Sequence, residues 1–293
     1  MTAARVASIH ARLLNRARER GEDFNQTLVR YGTERFLYRL STLPVAREGL
    51  WLKGAMLFDL WFDVPHRPTR DADFLGFGPI DADGLAGTVR DICMVQADDG
   101  MAFDPRSVLV EDIREDARYG GLRVRLTGAL GKARCAVQLD VGYGDAVTPG
   151  PDEVVYPTML DDLPVPHLRG YPRATVVAEK LEAIVSLGMA NSRMKDYYDL
   201  RALAKEGRLD DGLLGKAIAA TFTRRGTALP LGLPLGLTEE FARDATKLAQ
   251  WRAFLGKHGL AAPSLAQVVG EVAQFLQAPL RIASGKRALE RSG

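Results

Sequence analysis

The sequence has few of the residues that mark disulfide-rich, zinc-binding or membrane-spanning proteins. It contains two cysteines, Cys93 and Cys135, which form no CxxC pair, so neither a disulfide framework nor a cysteine zinc site is indicated. The four histidines are scattered along the chain. No run approaches the roughly 18 apolar residues of a membrane span. We therefore expect a cytoplasmic protein with no membrane partner.

The formal charge of +2 is unevenly distributed along 293 residues. Residues 1–47 carry nine arginines against four acidic residues, a surplus of five, and residues 281–293 carry four basic residues against one acidic residue, a surplus of three. Basic ends suit contact with a polyanion, and a solvated helix face is the alternative. The length allows one large domain or two closely packed domains.

The hydrophobic pattern changes along the chain. Two helices are predicted before Pro44, and one more over residues 50–62, where a glycine turn opens an apolar segment. Residues 69–74 are predicted to form a short strand and residues 81–97 a helix. Residues 107–145 then alternate apolar and polar side chains with period two, which predicts a hairpin-rich sheet.

A proline-rich connector over residues 149–172 separates this sheet from a second half with helical periodicity. We therefore predict an α+β fold with a domain boundary near residue 170. Residues 1–170 would form a mixed β-sheet domain with N-terminal helices, and residues 171–293 a helical domain.

A D-x-D sequence, Asp71-Ala72-Asp73, lies in the predicted short strand. Alternate residues of a strand share a face, so Thr69, Asp71 and Asp73 would lie on one side and Ala72 and Phe74 on the other. Two adjacent carboxylates are tolerated when a cation lies between them, and oxygen ligands suit Mg²⁺ or Mn²⁺. An exposed acidic strand edge is the structural alternative.

Asp140 is the polar-face residue of the otherwise apolar strand Val137-Gln138-Leu139-Asp140-Val141. A neighbouring strand could bring it beside Asp71 and Asp73, and three converging carboxylates can hold the metal ions of phosphoryl transfer. A strand-end hydrogen-bond acceptor is the alternative. The combination favours a metal site.

Two charged residues of the helical half are further candidates. Lys180 has only apolar neighbours three and four positions away on its helix, so its ammonium lies on the buried face. It is either a snorkelling lysine or a point charge for a phosphate. Asp196 and Asp199 lie three residues apart and repel each other, which leaves Asp196 in need of a partner unless it is simple surface charge.

The sequence Lys53-Gly54-Ala55-Met56 places a glycine turn before an apolar segment. Such a turn can present backbone N–H groups to a phosphate, although glycine before a helix is common.

Together these segments resemble the nucleotidyltransferase family that includes the AbiEii and AbiGii toxins of bacterial toxin–antitoxin systems. The similar stretches are YGTERFLYRL (31–40), LKGAMLFDLWFDVPHRPTRDADFLGFG (52–78), VQLDVGYGD (137–145) and YPRATVVAEKLEAIVSLGMANSRMKDYYDL (171–200). The resemblance implies a nucleotidyltransferase-like sheet and a helical domain that completes the active site.

The resemblance also assigns roles to single residues. It implies that Asp71, Asp73 and Asp140 are catalytic and bind Mg²⁺ or Mn²⁺, and that Lys180 and Asp196 are required for activity. Gly54, Ala55, Thr69 and Lys180 would contact the NTP substrate. The acceptor would be RNA, tRNA in some relatives, and a separate antitoxin protein would be a partner.

One departure from the family concerns the glycine turn. Many relatives have a second glycine followed by Ser or Thr, where this chain has Ala55 and Met56. Contact with the triphosphate at this point would therefore depend on backbone amides.

Other functions share parts of this pattern. A nucleotidyltransferase that modifies a protein or a small molecule would use the same carboxylates. A metal-dependent nuclease would also cluster carboxylates, but it needs neither Lys180 nor a triphosphate site. A catalytically idle partner-binding protein should have lost an acidic residue, whereas all four acidic positions are present.

Overall fold

The computed structural model describes residues 2–62, 66, 67, 69, 71–113, 120–207 and 209–285. It divides into two compact units. The first comprises Met1–Gly144 and Asp152–Gly170, and the second comprises Asp145–Pro151 and Tyr171–Gly293. The sequence-based division placed residues 145–151 with the first domain, whereas the structure places them with the second unit. No helix among the described residues is long and apolar enough to cross a membrane.

Local signals explain where the helices of the first unit begin and end. Thr2 and Asp23 accept hydrogen bonds from the first backbone N–H groups of two helices. Gly21 ends the first of these in the left-handed conformation, with φ of 62°. The helices are α1 (Ala3–Arg20), α2 (Phe24–Thr42), α3 (Pro44–Gly49), α4 (Phe58–Trp61) and α5 (Ala82–Met94).

The described strands of the first unit form one mixed sheet. They are β1 (Leu50–Lys53), β2 (Asp71–Gly76), β3 (Met101–Ile113), β4 (Gly121–Leu130), β5 (Ala133–Tyr143), β6 (Asp152–Val155) and β7 (His167–Gly170). Their order in the sheet is β3-β4-β5-β2-β1-β7-β6. β2 is parallel to β5 and β1 is parallel to β7, while the other neighbours are antiparallel. The predicted α+β class with a mixed sheet is confirmed.

Helix α2 lies directly on the sheet. A Cβ added at Gly32 would lie 2.8 Å from Cys135 Sγ of β5, so only glycine allows this approach. Farther along α2, the buried Arg39 guanidinium donates hydrogen bonds of 2.6 and 3.0 Å to Asp99. A buried charge is tolerated when it is paired in this way, and the pair anchors α2 to the segment that precedes β3.

Two local predictions for this unit are wrong. Residues 50–62 were predicted as one helix, but they form strand β1, a 3-10 turn (Gly54–Leu57) and the short helix α4. A short apolar run is compatible with either a buried strand or a buried helix, so periodicity could not separate them. The predicted connector also contains strands β6 and β7, which are only four residues long each.

From residue 173 onward the second unit consists mainly of helices where it is described, as predicted. Side chains of Asp210, Thr238, Asp244 and Ser264 cap four of its helices at their N-termini. The helices are α6 (Arg173–Leu187), α7 (Met194–Glu206), α8 (Asp211–Arg225), α9 (Glu239–Arg243), α10 (Ala245–His258) and α11 (Leu265–Ala283). Helix α6 packs on α7 and α8, and α11 packs on α7 and α8, which brings the inward faces of α6 and α7 together.

Candidate active site

Strand β2 presents the D-x-D carboxylates on one face of the sheet. Asp71 and Asp73 are partly exposed, whereas Ala72 and Phe74 between and after them are fully buried. The predicted alternation is therefore confirmed. Pro68 and Arg70, which belong to the same motif, lie outside the described residues.

Asp140 lies beside Asp73. Strand β5 runs parallel to β2, and Asp140 is the register partner of Asp73, while Gln138 is the register partner of Asp71. Because neighbouring strands are about 4.8 Å apart, two carboxylates share one small area of the sheet. The adjacency that the sequence predicted is thus present in the fold, and it comes from pairing between strands more than 60 positions apart in the chain.

The Asp140 carboxylate is held by an arginine that the sequence analysis did not identify. Arg123 of β4 donates from Nε to Asp140 Oδ1 (2.8 Å) and from Nη2 to Oδ2 (2.7 Å). Gln138 Nε2 also donates to Oδ1, at 3.4 Å. The two charged side chains are 29% and 18% exposed, so this bidentate pair is only partly shielded from water.

The glycine turn lies against Asp73. Gly54 has φ of 73°, and a Cβ built on it would lie 2.0 Å from Asp73 Oδ2 and 2.7 Å from its Cγ. Only glycine therefore leaves room for this carboxylate. Strand β1 delivers the turn, with Lys53 as the register partner of Asp73. Ala55, the next predicted contact, is buried behind the turn.

Thr69 and Lys53 are two other residues of the first unit that lie near the carboxylates. Thr69 Oγ1 donates to the backbone carbonyl of Asp71 at 3.3 Å, so the described structure shows it positioning the start of β2. The Lys53 ammonium lies 3.5 Å from where a Cβ at Gly142 would be. Lys53 therefore reaches over β2 to β5, on the face that carries the carboxylates.

The donor set suits a divalent cation only in part. Among the described residues, no three His, Cys, Asp or Glu side chains are grouped closely enough to hold a metal ion. Mg²⁺ is commonly bound by one or two carboxylates together with substrate phosphates, and Asp71 and Asp73 meet that requirement. Asp140 has both carboxylate oxygens bound by Arg123.

In the second unit, Lys180 and Asp196 are in direct contact. Lys180 Nζ donates to Asp196 Oδ1 (2.7 Å) and to Asp199 Oδ2 (2.8 Å), and Arg193 Nε donates to Asp196 Oδ2 (2.8 Å). We call these four residues the lysine cluster. The two carboxylates are 1% and 0% exposed and Lys180 is 13% exposed. Burial alone would raise the pKa of Asp196, but the charges of Lys180 and Arg193 outweigh it and hold the pKa below the ordinary value.

Asp199 is the member of the lysine cluster that the sequence analysis did not assign a role. A signal for it existed, because Asp196, Asp199, Leu200 and Leu203 form one buried stripe along α7. Two acidic residues on a buried stripe require a cation from another helix. Lys180 lies on the buried stripe of α6, between Val176, Val177 and Ile184, and supplies that cation.

A second charged network joins α6 and α8 within the same unit. Arg225 Nη1 donates to Glu182 Oε2 (2.9 Å), and Nη2 lies 3.0 Å from Asp145 Oδ1 and 3.3 Å from Glu179 Oε1. Burial would lower the pKa of Arg225, but the three carboxylates outweigh that effect and raise it. Arg225 therefore connects Asp145, in the segment before α6, to helices α6 and α8.

A family model decides the relationship of this chain to known proteins. The model of the nucleotidyl transferase AbiEii toxin family, of the type IV toxin–antitoxin system, matches residues 35–278. The chain belongs to the AbiEii nucleotidyltransferase toxin family. The match includes each of the residues predicted above to be catalytic, metal-binding or nucleotide-binding. Membership of a family of the type IV toxin–antitoxin system implies an antitoxin partner.

Comparison with solved structures gives two matching chains. One is a provisionally assigned nucleotidyltransferase from H. pylori, with 16% identity and a TM-score of 0.46 over 86% of this chain and 92% of that chain. The other is JHP933 from Helicobacter pylori, with 16% identity and a TM-score of 0.45 over 86% of this chain and 90% of that chain. No curated protein matches the sequence. Family membership therefore rests on the family model.

The pairing of Arg123 with Asp140 was not predicted because it depends on the exact register of the β4–β5 hairpin. A two-residue turn at Gly131 and Lys132 pairs Leu130 with Ala133, and the same register pairs Arg123 with Asp140. The alternation identified the strands, but the pair follows only once the turn has been placed to the residue. An error of one position would have put Arg123 opposite an apolar side chain.

Proposed function

We propose that this AbiEii family member is a Mg²⁺- or Mn²⁺-dependent enzyme that transfers an NMP from an NTP to RNA, such as tRNA, and acts as the toxin of a toxin–antitoxin pair. One observation supports it most. The Asp73 carboxylate lies against the Gly54 turn on one side and has Asp140 as its register partner on the other. A carboxylate suited to a metal ion is therefore next to a turn suited to a phosphate.

Asp71 and Asp73 would hold the cation, with the remaining positions taken by substrate phosphates and water. When bound, such a cation neutralises charge on the triphosphate and helps an acceptor hydroxyl to lose its proton. The reaction would form a bond from the acceptor oxygen to the α-phosphorus and break the bond to pyrophosphate, which leaves.

The chain itself would orient the nucleotide. The left-handed conformation of Gly54 turns the backbone sharply between β1 and the 3-10 turn, and the amides of Gly54 and Ala55 are the groups proposed to contact phosphate. With alanine instead of Ser or Thr at position 55, no hydroxyl contributes there. Thr69 would act through the start of β2, which it holds by its bond to the Asp71 carbonyl.

The lysine cluster qualifies the role of Lys180. Lys180 and Arg193 carry two positive charges, and Asp196 and Asp199 carry two negative charges, so the cluster is neutral as a whole. An ammonium that is bonded to two carboxylates is a weaker phosphate ligand than an isolated one. We therefore propose that Lys180 and Asp196 are required because they fix each other's position.

The identity of the acceptor depends on whether the basic N-terminal segment offers a surface to RNA. Several N-terminal arginines are bonded within the protein: Arg5 and Arg12 to Asp162, Arg30 to Glu22, and Arg39 to Asp99. The basic surplus of residues 1–47 is thus not an open cationic surface, and the family resemblance is the main support for RNA. These internal pairs favour a protein or a small molecule as the alternative acceptor.

Transfer of label tests the proposal. The full-length protein is incubated with Mg²⁺, each α-³²P-NTP in turn and total tRNA, beside Asp71→Asn and the control Asp91→Asn, which removes an exposed carboxylate of α5. Label on RNA with wild type and Asp91→Asn, but not with Asp71→Asn, is expected. Binding of NTP without label on RNA would overturn the RNA acceptor. Absence of NTP binding would favour an idle partner-binding protein.

A further inference from the structure

Charged side chains form one line across five strands of the first unit. Through successive register pairs the line runs Glu111, Arg123, Asp140, Asp73 and Lys53. Side chains that are directly opposite on neighbouring strands lie on the same face. The charges therefore alternate except at the centre, where two carboxylates are adjacent and each has a cation on its outer side.

This order has an energetic consequence. Two carboxylates directly opposite each other destabilise a sheet, and a metal ion between them is one way to relieve the repulsion. Here Arg123 already neutralises Asp140 through two charge-assisted hydrogen bonds of 2.8 and 2.7 Å, the strongest class of hydrogen bond in proteins. A cation that recruited Asp140 as a ligand would have to break or weaken both.

We infer that Arg123 takes the place of a second metal ion at Asp140, so that a divalent cation in the nucleotide-free protein is bound through Asp71 and Asp73 and not through Asp140. The inference rests on the proposed function, because it concerns the same metal site. Arg123 is then a positioning residue, which orients Asp140 by donating to both of its carboxylate oxygens. Gln138, on the same strand as Asp140, supports that orientation.

The neighbouring Arg125 provides a matched control. It also lies on β4, two residues away and on the same face, and its Nη1 donates to Glu111 Oε2 at 2.7 Å. Arg125 pairs in register with Gln138, whereas Arg123 pairs with Asp140. Arg125→Met and Arg123→Met therefore remove the same charge from the same face, but only the second releases Asp140.

Binding of Mn²⁺ to the full-length protein, measured by the electron paramagnetic resonance signal of free Mn²⁺ without nucleotide, tests the inference. Arg123→Met is expected to bind Mn²⁺ on the order of tenfold more tightly, because a nearby positive charge is removed and a carboxylate is released. Arg125→Met is expected to change the affinity by less than about threefold. Arg123→Lys keeps the charge but not the planar guanidinium group, so its Mn²⁺ affinity should lie between those of Arg123→Met and Arg125→Met.

A double variant separates the release of Asp140 from the loss of charge. The gain of Arg123→Met is expected to disappear in Arg123→Met/Asp140→Asn, while Asp71→Asn should abolish binding in either background. Circular dichroism and thermal unfolding show whether each variant is folded. Unchanged or weaker binding in folded Arg123→Met, or a wild-type affinity that depends on Asp140 as strongly as on Asp71, would overturn the inference.

The labelling assay keeps the two proposals distinguishable. If wild type transfers label to RNA while Arg123→Met binds Mn²⁺ no better than wild type, only the inference on Arg123 fails. If the Mn²⁺ affinities follow the expected order but no acceptor is labelled, the proposed transfer reaction fails and the assignment of Arg123 stands.

Discussion

The two candidate sites, one in each unit, hold their charged side chains in different surroundings. On the sheet face of the first unit, Arg123 and Asp140 keep 29% and 18% of their side-chain surface exposed. In the lysine cluster of the second unit, Asp196 and Asp199 have 1% and none. Water can replace a lost partner at the first site, but not at the second. Loss of a charged partner should therefore cost less stability on the sheet face than in the lysine cluster.

Removal of Lys180 should have the largest effect on stability. Lys180→Met leaves Asp196 with Arg193 and deprives Asp199 of its bond to the ammonium, so the free energy of unfolding should fall by about 3–5 kcal/mol. Urea unfolding followed by circular dichroism measures the change. Lys216→Met, which removes an exposed lysine of α8, is the control and should change stability by less than about 0.5 kcal/mol.

A compensating variant makes this result specific. Lys180→Met/Asp199→Asn removes one charge of each sign, so part of the lost stability should return. If the free energy of unfolding of Lys180→Met falls by less than about 1 kcal/mol, the lysine cluster is solvated. The contrast between the sheet face and the lysine cluster would then be wrong. Activity of the folded double variant would in turn show that Lys180 is needed for structure and not for transfer.

Substitution of Gly54 tests whether the close approach of the glycine turn to Asp73 is needed for activity. In Gly54→Ala the added methyl group would meet the Asp73 carboxylate at 2.0 Å, so turn and carboxylate must separate. A displacement of about 1 Å in a catalytic site can lower the rate on the order of a hundredfold. Transfer of labelled NMP should fall by at least about that factor.

The control for Gly54 is Gly78, which lies after β2 with φ of 83° and has nothing within 4 Å of an added Cβ. Gly78→Ala carries only the cost of the left-handed conformation, about 1–2 kcal/mol. Equal losses of activity in both variants would show that the conformation of Gly54, and not its contact with Asp73, matters.

The sequence could predict those features of the two sites that depend on local geometry, but not those that depend on long-range pairing. Period-two alternation placed Asp71 and Asp73 on one face and put Asp140 on a strand of the same sheet, because these features depend on local geometry. Arg123 was not predicted, since it becomes a partner only through the register of a hairpin. Asp199 was not predicted either, because its partner comes from another helix and only packing brings them together.

The buried Asp196 of the lysine cluster should make the stability of the protein depend on pH in the acid range. The pKa of Asp196 is lowered in the folded protein, whereas an unfolded aspartate has a pKa of about 3.9. The unfolded state therefore binds more protons in acid, so the stabilisation by Asp196 is complete above about pH 4 to 5 and is lost as the pH falls through the lower, folded value.

Asp196→Asn should accordingly flatten the acid side of the stability–pH curve without altering its shape above about pH 5. Urea unfolding at a series of pH values measures this. Asp91→Asn, an exposed aspartate of α5, is the control and should leave the acid side unchanged. An acid limb that is equally steep in wild type and Asp196→Asn would assign the loss of stability to other carboxylates.

Substitution of Thr69 should have the smallest effect on activity. It tests whether the nucleotide-binding site extends beyond Asp71 to residues before β2. Thr69→Val keeps the shape of the side chain and removes the hydrogen bond to the Asp71 carbonyl, which has a length of 3.3 Å and would contribute about 0.5–1.5 kcal/mol. If this bond only positions β2, the KM for NTP should rise by no more than about tenfold with kcat nearly unchanged. A larger rise with unchanged stability would mean that the hydroxyl contacts the nucleotide directly, and the binding site would then extend beyond Asp71 to residues before the strand.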